Sequence, residues 1–495
     1  MRSNLKYLTI KKESKVDTNI YAITDSHQES RNLSQLLSGI YNFEKTNQNP
    51  FLILDSGDLF KGIYDKELSV NAYIKIKELL PQAQIFITIG NNDFGFKKAD
   101  FEYLKSTVKK FYSAGINVVC ANIIDDKTNQ NIDWIDQYKI ITINNQRVLI
   151  TGFCLNNSCA KKFNCHMLSL TDGLEKVLEN LKEPYDKLII LNHHWYPESK
   201  ILYDWAKSKN KTPTLIIGGH EHSKIQPDYE NNIYYPYSFA RSMYKIKMDK
   251  KIDSVEEIPV EQCRFIPELE TPILKYEQIT KLKEPITKRI IDLPKKYSEA
   301  CPLGTFISDC MKKIGNTDIA FHSTGFSMYP LKLEDSDIIT KYDLLKVMCA
   351  SSTIEKIEIT TAQLKETFEN TAKNRMLKDR GNAKFLQCSQ NMKITGHGNP
   401  QTGEYKILQI TINGEDLLDK NQNPIDPNRK FTCTIDPYIG SGEQEFSVLK
   451  NIPKTKVLQY GKEVPINELF AKSLIEASKT TSTPYTYPSF KYIDV

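Results

Sequence analysis

A chain of 495 residues is too long for a single hydrophobic core, so two domains are expected. Apolar residues make up 40%, charged residues 26%, mean hydropathy is −0.45 and net charge is only +5, with lysines and glutamates interspersed. That balance fits a globular protein in water and points to neither nucleic acid polymers nor an anionic membrane as partner. No apolar run of 18 residues occurs and Met1–Val16 has no continuous apolar stretch, so no membrane span or secretory signal is predicted. Ten scattered cysteines read as reduced thiols in the cytoplasm.

In chain order, residues 18–25 (TNIYAITD) form an apolar strand ending at Asp25-Ser26-His27. Leu33, Leu36, Leu37, Ile40 and Tyr41 recur at three- and four-residue spacing, which predicts a helix. A second strand, Phe51–Leu54, runs into the loop Asp55-Ser56-Gly57-Asp58-Leu59-Phe60-Lys61-Gly62. A helix across Ala72–Leu80 leads to Ile85–Ile89, a β-branched and aromatic run without a helical stripe, which stops at Gly90-Asn91-Asn92-Asp93. A helix over Ala99–Tyr112 and a strand over Asn117–Cys120 follow. Lys187–Leu191 then runs into Asn192-His193-His194-Trp195, and Thr214–Ile217 into Gly218-Gly219-His220-Glu221-His222. Strands at 232–236 and 243–248 close the first domain near residue 265. This alternation predicts stacked β-sheet with helices outside.

Residues 266–285 read as a partly helical connector, and 286–495 as the second domain. Its predicted elements are a helix over Pro302–Lys313, a strand over Asp318–Phe321, a helix over Lys341–Met348, a strand over Ile354–Ile359 and a helix over Ala362–Thr371. Strands and turns continue to about residue 450, and Lys479–Val495 reads as a loosely attached tail. Cys154, Cys159, Cys165 and His166 lie close together but lack the CxxC spacing of zinc pairs, so they read as buried or incidental thiols.

Five strand ends deliver oxygen or imidazole donors: Asp25 with His27, Asp58, Asn91, His193 with or without His194, and His220 with His222. One such loop would be an ordinary turn and one such histidine an ordinary core residue. Together they hold five of the eight histidines in the chain. Mixed imidazole and carboxylate donors suit zinc, manganese or iron. The set has the arithmetic of two divalent ions: Asp25, His27 and His222 for one, Asn91, His193 and His220 for the other, and the Asp58 carboxylate between them. Such a pair polarises a phosphoryl group and turns water into a nucleophile.

In this order the motifs DxH, GDxxxG, GNND, a histidine after a strand, and GHxH resemble those of the calcineurin-like metallophosphoesterases, most nearly the two-domain 5′-nucleotidase branch. Cys301–Asp309, Asp318–Gly325, Phe385–Ser389 and Thr434–Phe446 extend the resemblance into the second domain. It implies an α/β fold, a four-layer αββα sandwich with a dinuclear metal site followed by an α/β 5′-nucleotidase-type domain that binds the nucleoside. It also implies hydrolysis of nucleotides or related phosphate esters by a metal-activated water. The partner is then a small-molecule substrate, with no nucleic acid polymer and no membrane. By position, Phe385 and Tyr438 match the two rings that sandwich the base in that branch. Each also has a plainer reading, Phe385 as core and Tyr438 as an exposed turn residue.

Two places depart from the branch. Its catalytic histidine and aspartate are Asn92 and Gly95 here, and an amide donates a hydrogen bond without transferring a proton near neutral pH. Losing a general acid typically costs ~10²–10⁴-fold, so Asn92 is expected to serve in a reduced catalytic role, with weak activity on monoesters and less loss for a good leaving group. The arginine that grips phosphate in the branch is Met328 here, ending the segment Ser323–Met328. Arg375, Lys378 and Arg380 read as solvated surface charge. The alternative expectation is a nucleotide-binding or regulatory relative that keeps the metal ligands but is impaired in turnover.

Overall fold

Strands Thr18–Ile23, Phe51–Asp55 and Ala83–Ile87 are apolar on both faces, and in the computed structural model both faces are used. The structure describes residues 17–493 apart from 96, 156–157, 289–299, 327–337, 349–352, 374–384, 399–404, 443, 460–461, 464 and 480–490. The chain divides into two units, Met1–Lys275 and Tyr276–Val495, with the helix Pro267–Thr280 running through the division.

In the first unit a six-stranded sheet has the order 252–259, 242–248, 18–23, 51–55, 83–87, 117–118, its last four strands parallel. A five-stranded sheet has the order 233–234, 215–218, 187–193, 146–154, 138–143, parallel except at its final pair. Alternation of side chains sorts three cores. Tyr21, Ile23, Ile53, Ile85 and Ile87 pack under the helices Ser30–Glu44, Lys66–Leu79 and Lys98–Ser113. Ile20, Ala22, Leu52, Leu54 and Phe86 meet Ile189, Leu191, Leu215 and Ile217 between the sheets. Leu188, Ile190 and Ile216 pack under Leu170–Asn180 and Tyr196–Ser208 on the far side. These are the layers of an αββα sandwich, as the resemblance implies.

Boundaries moved where loops begin early. The strand expected at 85–89 is Ala83–Ile87, because Thr88 and Ile89 already lead into the polar loop. The hairpin Tyr138–Ile143 and Gln146–Cys154 was not expected from the sequence. Its turn is Asn144-Asn145 with φ of 48° and 61°, the left-handed pair that two-residue hairpins require.

The second unit has a five-stranded sheet in the order 386–388, 319–323, 430–435, 355–360, 455–456 and a four-stranded one in the order 415–416, 405–412, 392–398, 491–493. Its helices Pro302–Gly315 and Thr361–Lys373 pack into separate apolar clusters. Within the segment expected to be a loose tail, Lys491–Ile493 pairs in parallel with Thr395–His397, which is a correction.

Candidate metal centre

Chains that leave a parallel sheet at the carboxyl ends of its strands put polar loops side by side, and every expected ligand of the first unit stands at such an end. Asp25 and His27 follow Thr18–Ile23, Asp58 follows Phe51–Asp55, and Asn91 follows Ala83–Ile87. His193 is the last residue of Lys187–His193, and His220 and His222 follow Leu215–Gly218. Backbone bonds strap the loops together: Asp25 N donates to Gly57 O and His27 N to Asp58 O, both at 2.9 Å, and Gly219 N to Asn192 O at 3.0 Å. Asp25 (φ 45°), His27 (46°), Asp58 (57°) and His220 (72°) sit in the left-handed region. Each such residue costs of order 1 kcal/mol or more and persists where its surroundings over-determine it, a pattern that concentrates at functional sites.

Asp25, His27, Asp58 and His222 bring donor atoms within 4.8 Å of one another, and so do Asp58, His193 and His220. Asp58 belongs to both groups, its Oδ2 lying 3.6 Å from His27 Nε2 and 3.2 Å from His193 Nε2. Asn91 Oδ1 lies 3.2 Å from the same His193 nitrogen. The structure therefore gathers all seven expected ligands around one shared carboxylate. His194 turns away, its Nε2 lying 3.2 Å from Cys154 O.

The outer contacts suit a divalent cation. His193 Nδ1 donates to Ser56 O at 2.7 Å and His27 Nδ1 to Phe60 O at 3.2 Å, which turns both Nε2 atoms toward the carboxylates. His27 Nε2 and His222 Nε2 stand 2.9 Å apart, with Asp25 Oδ1 at 3.7 and 3.6 Å from them. Two imidazole nitrogens converging beside a carboxylate form a donor set for a metal of the zinc, manganese or iron type. His220 Nδ1 is buried without a hydrogen-bond partner among the described residues.

Electrostatics follow from burial and mutual charge. Burial would raise Asp25, but hydrogen bonds with His222 and His27 hold it well below the usual carboxylate range. Burial likewise opposes ionisation of Asp58, and the charge and hydrogen bond of His193 overcome it. Burial works to lower His193, yet Asp58 holds it up to about 10. Burial pushes His220 and His222 down, the His193 charge adding to the effect at His220.

Beside the ligands, Asn92 N donates to Asp58 Oδ1 at 2.7 Å and its Nδ2 to Asp58 Oδ2 at 2.6 Å. That orientation turns Asn92 Oδ1 away from the ligands, where it accepts from Lys61 Nζ at 3.0 Å. Gly95 has φ 64°, and a Cβ built on it would stand 2.2 Å from Asp100 Cβ. Asp93, which the sequence did not single out, accepts from Gly90 N at 2.8 Å, Asp58 N at 3.1 Å and Phe60 N at 2.9 Å. It ties two ligand loops together, and burial with the Asp58 charge pushes its carboxyl up to about 7. The available signal was its place at the end of a Gly-Asn-Asn-Asp turn, where an aspartate reaches back to a backbone N–H.

The other expected positions separate. Cys154 and Cys165 are buried free thiols, and His166 pairs with Asp126 at 2.6 Å in an exposed setting. In the second unit Phe385 is 0% exposed within an apolar cluster, whereas Tyr438 is 41% exposed and packs edge-on against Phe446. In this arrangement Phe385 packs among the core rings, its plainer reading, while Tyr438 presents its ring to solvent. Met328, Arg375, Lys378 and Arg380 lie outside the described residues.

Comparison with known proteins agrees with this architecture. The calcineurin-like phosphoesterase model matches residues 18–224, and the model of the 5′-nucleotidase C-terminal domain matches residues 278–451. Among solved structures, a 5′-nucleotidase precursor from Thermus thermophilus superimposes with a TM-score of 0.73 at 17% identity, covering 97% of this chain and 99% of that one. A 5′-nucleotidase from Candida albicans gives 0.62 at 14% identity over 93% and 98%. A sulfate thiohydrolase from Thermus thermophilus gives 0.68 at 14% identity over 93% and 82%. At these identities the likeness establishes the fold alone. No curated protein matches the sequence significantly. With both family models matched in order along one chain, the protein is a two-domain calcineurin-like metallophosphoesterase of the 5′-nucleotidase type.

Proposed function

We propose that the chain is a metal-dependent phosphohydrolase acting on nucleotides or related phosphate esters. The observation that carries this reading is the pair of donor groups sharing Asp58, assembled from four loops at the carboxyl ends of two sheets, with Asn91 of a fifth loop beside His193. Asp25, His27, Asp58 and His222 would hold one divalent ion and Asp58, Asn91, His193 and His220 a second. Ions in those places would polarise a phosphoryl oxygen and lower the pKa of water.

The chain's own residues do the rest. Ser56 O and Phe60 O anchor Nδ1 of His193 and His27, so that each Nε2 faces inward. Asn92 holds both oxygens of Asp58 and orients that carboxylate. Asn92 transfers no proton, so departure of the leaving group depends on its own basicity and on nearby positive charge.

The test is phosphate release from nucleoside mono-, di- and cyclic phosphates by the full chain loaded with manganese or zinc. Turnover of at least one class is expected, abolished by Asp58→Ala. Nucleotide binding without turnover of any class would assign the chain instead to the non-catalytic nucleotide-binding reading.

A further inference from the structure

Phe239 is 4% exposed, yet it belongs to none of the apolar clusters formed by the described residues. A buried phenyl ring ordinarily packs among aliphatic and aromatic core residues. Two of the neighbours of this ring are instead expected metal ligands, His27 with centroids 5.1 Å apart and His222 at 5.0 Å. The Arg241 guanidinium carbon lies 5.1 Å from the same ring and 4.2 Å from that of Tyr237. The backbone is unusual as well. Phe239 and Ala240 have φ of 63° and 49°, two consecutive left-handed residues without a glycine. For a bulky residue that conformation is an outlier, kept where surrounding contacts over-determine it. Phe239 N donates to Asp25 O at 2.6 Å, Asn32 Nδ2 donates to Phe239 O at 3.0 Å, and Ser238 Oγ donates to His222 O at 3.3 Å. The turn is thereby fastened to both loops whose imidazoles its ring touches.

The ring stands where His222 lacks an outer hydrogen bond. His193 and His27 are each anchored through Nδ1 to a backbone carbonyl. Among the described residues His222 Nδ1 meets no such carbonyl. Its side chain is also 27% exposed, against 1% for His27 and 0% for His193. A ligating imidazole usually has its second nitrogen held, and one without that bond keeps its rotamer only if something packs against it.

We infer that Phe239 is a positioning residue for one of the two ions. Held by the strained turn, its ring packs His222 and His27 into the orientation in which both Nε2 atoms converge beside Asp25, in place of the hydrogen bond that His222 does not have. This inference rests on the two-ion reading above and concerns only the donor group of Asp25, His27, Asp58 and His222. None of the contacts named here involves Asn91, His193 or His220, so the effect belongs to one donor group and not to the other. The strain of the turn is then spent on ligand orientation, which burial of a phenyl ring in a core would not require.

The test titrates cobalt(II) into chelator-stripped full chain, read by calorimetry and by the visible spectrum of the bound ion. In a His220→Ala background, where the second donor group is broken, Phe239→Leu is expected to weaken cobalt by about tenfold or more and to shift its visible bands, while Phe239→Tyr stays within about threefold of the parent. In a His222→Ala background, where the first group is broken, Phe239→Leu is expected to change cobalt affinity by less than about threefold. Thermal melts of the stripped variants check folding, and Phe239→Met carries the same comparison if the leucine variant does not fold. Equal weakening in both backgrounds, weakening in neither, or the same loss with tyrosine overturns the positioning role and leaves the metal centre in place. A parent chain that binds no cobalt overturns the two-ion reading and this inference with it. Selective weakening in a chain that binds two ions but releases no phosphate would keep the inference and overturn the phosphohydrolase reading.

Discussion

Asn92 and Gly95 illustrate how a substitution read in sequence changes meaning in three dimensions. From sequence, restoring the dyad needs only Asn92→His and Gly95→Asp. In the structure the Gly95 side would run into Asp100 Cβ at 2.2 Å. Aspartate tolerates a left-handed φ better than most residues, so the collision is the larger obstacle. The double variant should therefore lose about 2 kcal/mol or more in a denaturant melt. Adding Asp100→Gly should recover part of that and raise turnover of a nucleoside monophosphate by about 10²-fold through the regained acid. Protonation gives a second prediction at this scale. His193, held up to about 10 by Asp58, carries a proton that a bound cation must displace. Metal binding is therefore favoured at high pH, and affinity should fall about tenfold per unit as pH drops from 8 to 6, with proton release seen by calorimetry in buffers of different ionisation enthalpy.

At the level of elements, the strand ends were legible because their apolar runs stop at donor residues; the loop backbones that aim those donors were not. Gly57 shows why. Its φ of 90° and a built Cβ only 2.5 Å from Gly90 N mean that two ligand loops touch through their backbones at this point. Gly57→Ala should cost about 2–3 kcal/mol of stability and lower metal affinity by moving Asp58, measured by thermal melts with and without metal. The parallel strands 18–23, 51–55 and 187–193 were readable as apolar runs of strand length. The hairpin 138–154 escaped because its outer strand is half-exposed and carries a weaker pattern.

For the whole molecule, the order of five ligand motifs sufficed to name the fold, since only a chain folded back on itself brings residues 25 and 222 within bonding range of one ion. The second domain was readable as elements, whereas Phe385 and Tyr438 were matched by position alone, and the structure sets the first in the core and the second at the surface. Asp93 was missed because the backbone N–H groups of Asp58 and Phe60 that it ties down lie more than thirty residues away in sequence. Among the described residues no helix is long and apolar enough to cross a membrane. The central claim is a phosphohydrolase whose two donor groups work together. It is tested most directly by following phosphate release from a nucleoside diphosphate as manganese is titrated into chelator-stripped full chain. The account predicts a rate that rises and saturates near two equivalents; a rate that stays at baseline through two bound equivalents would contradict it.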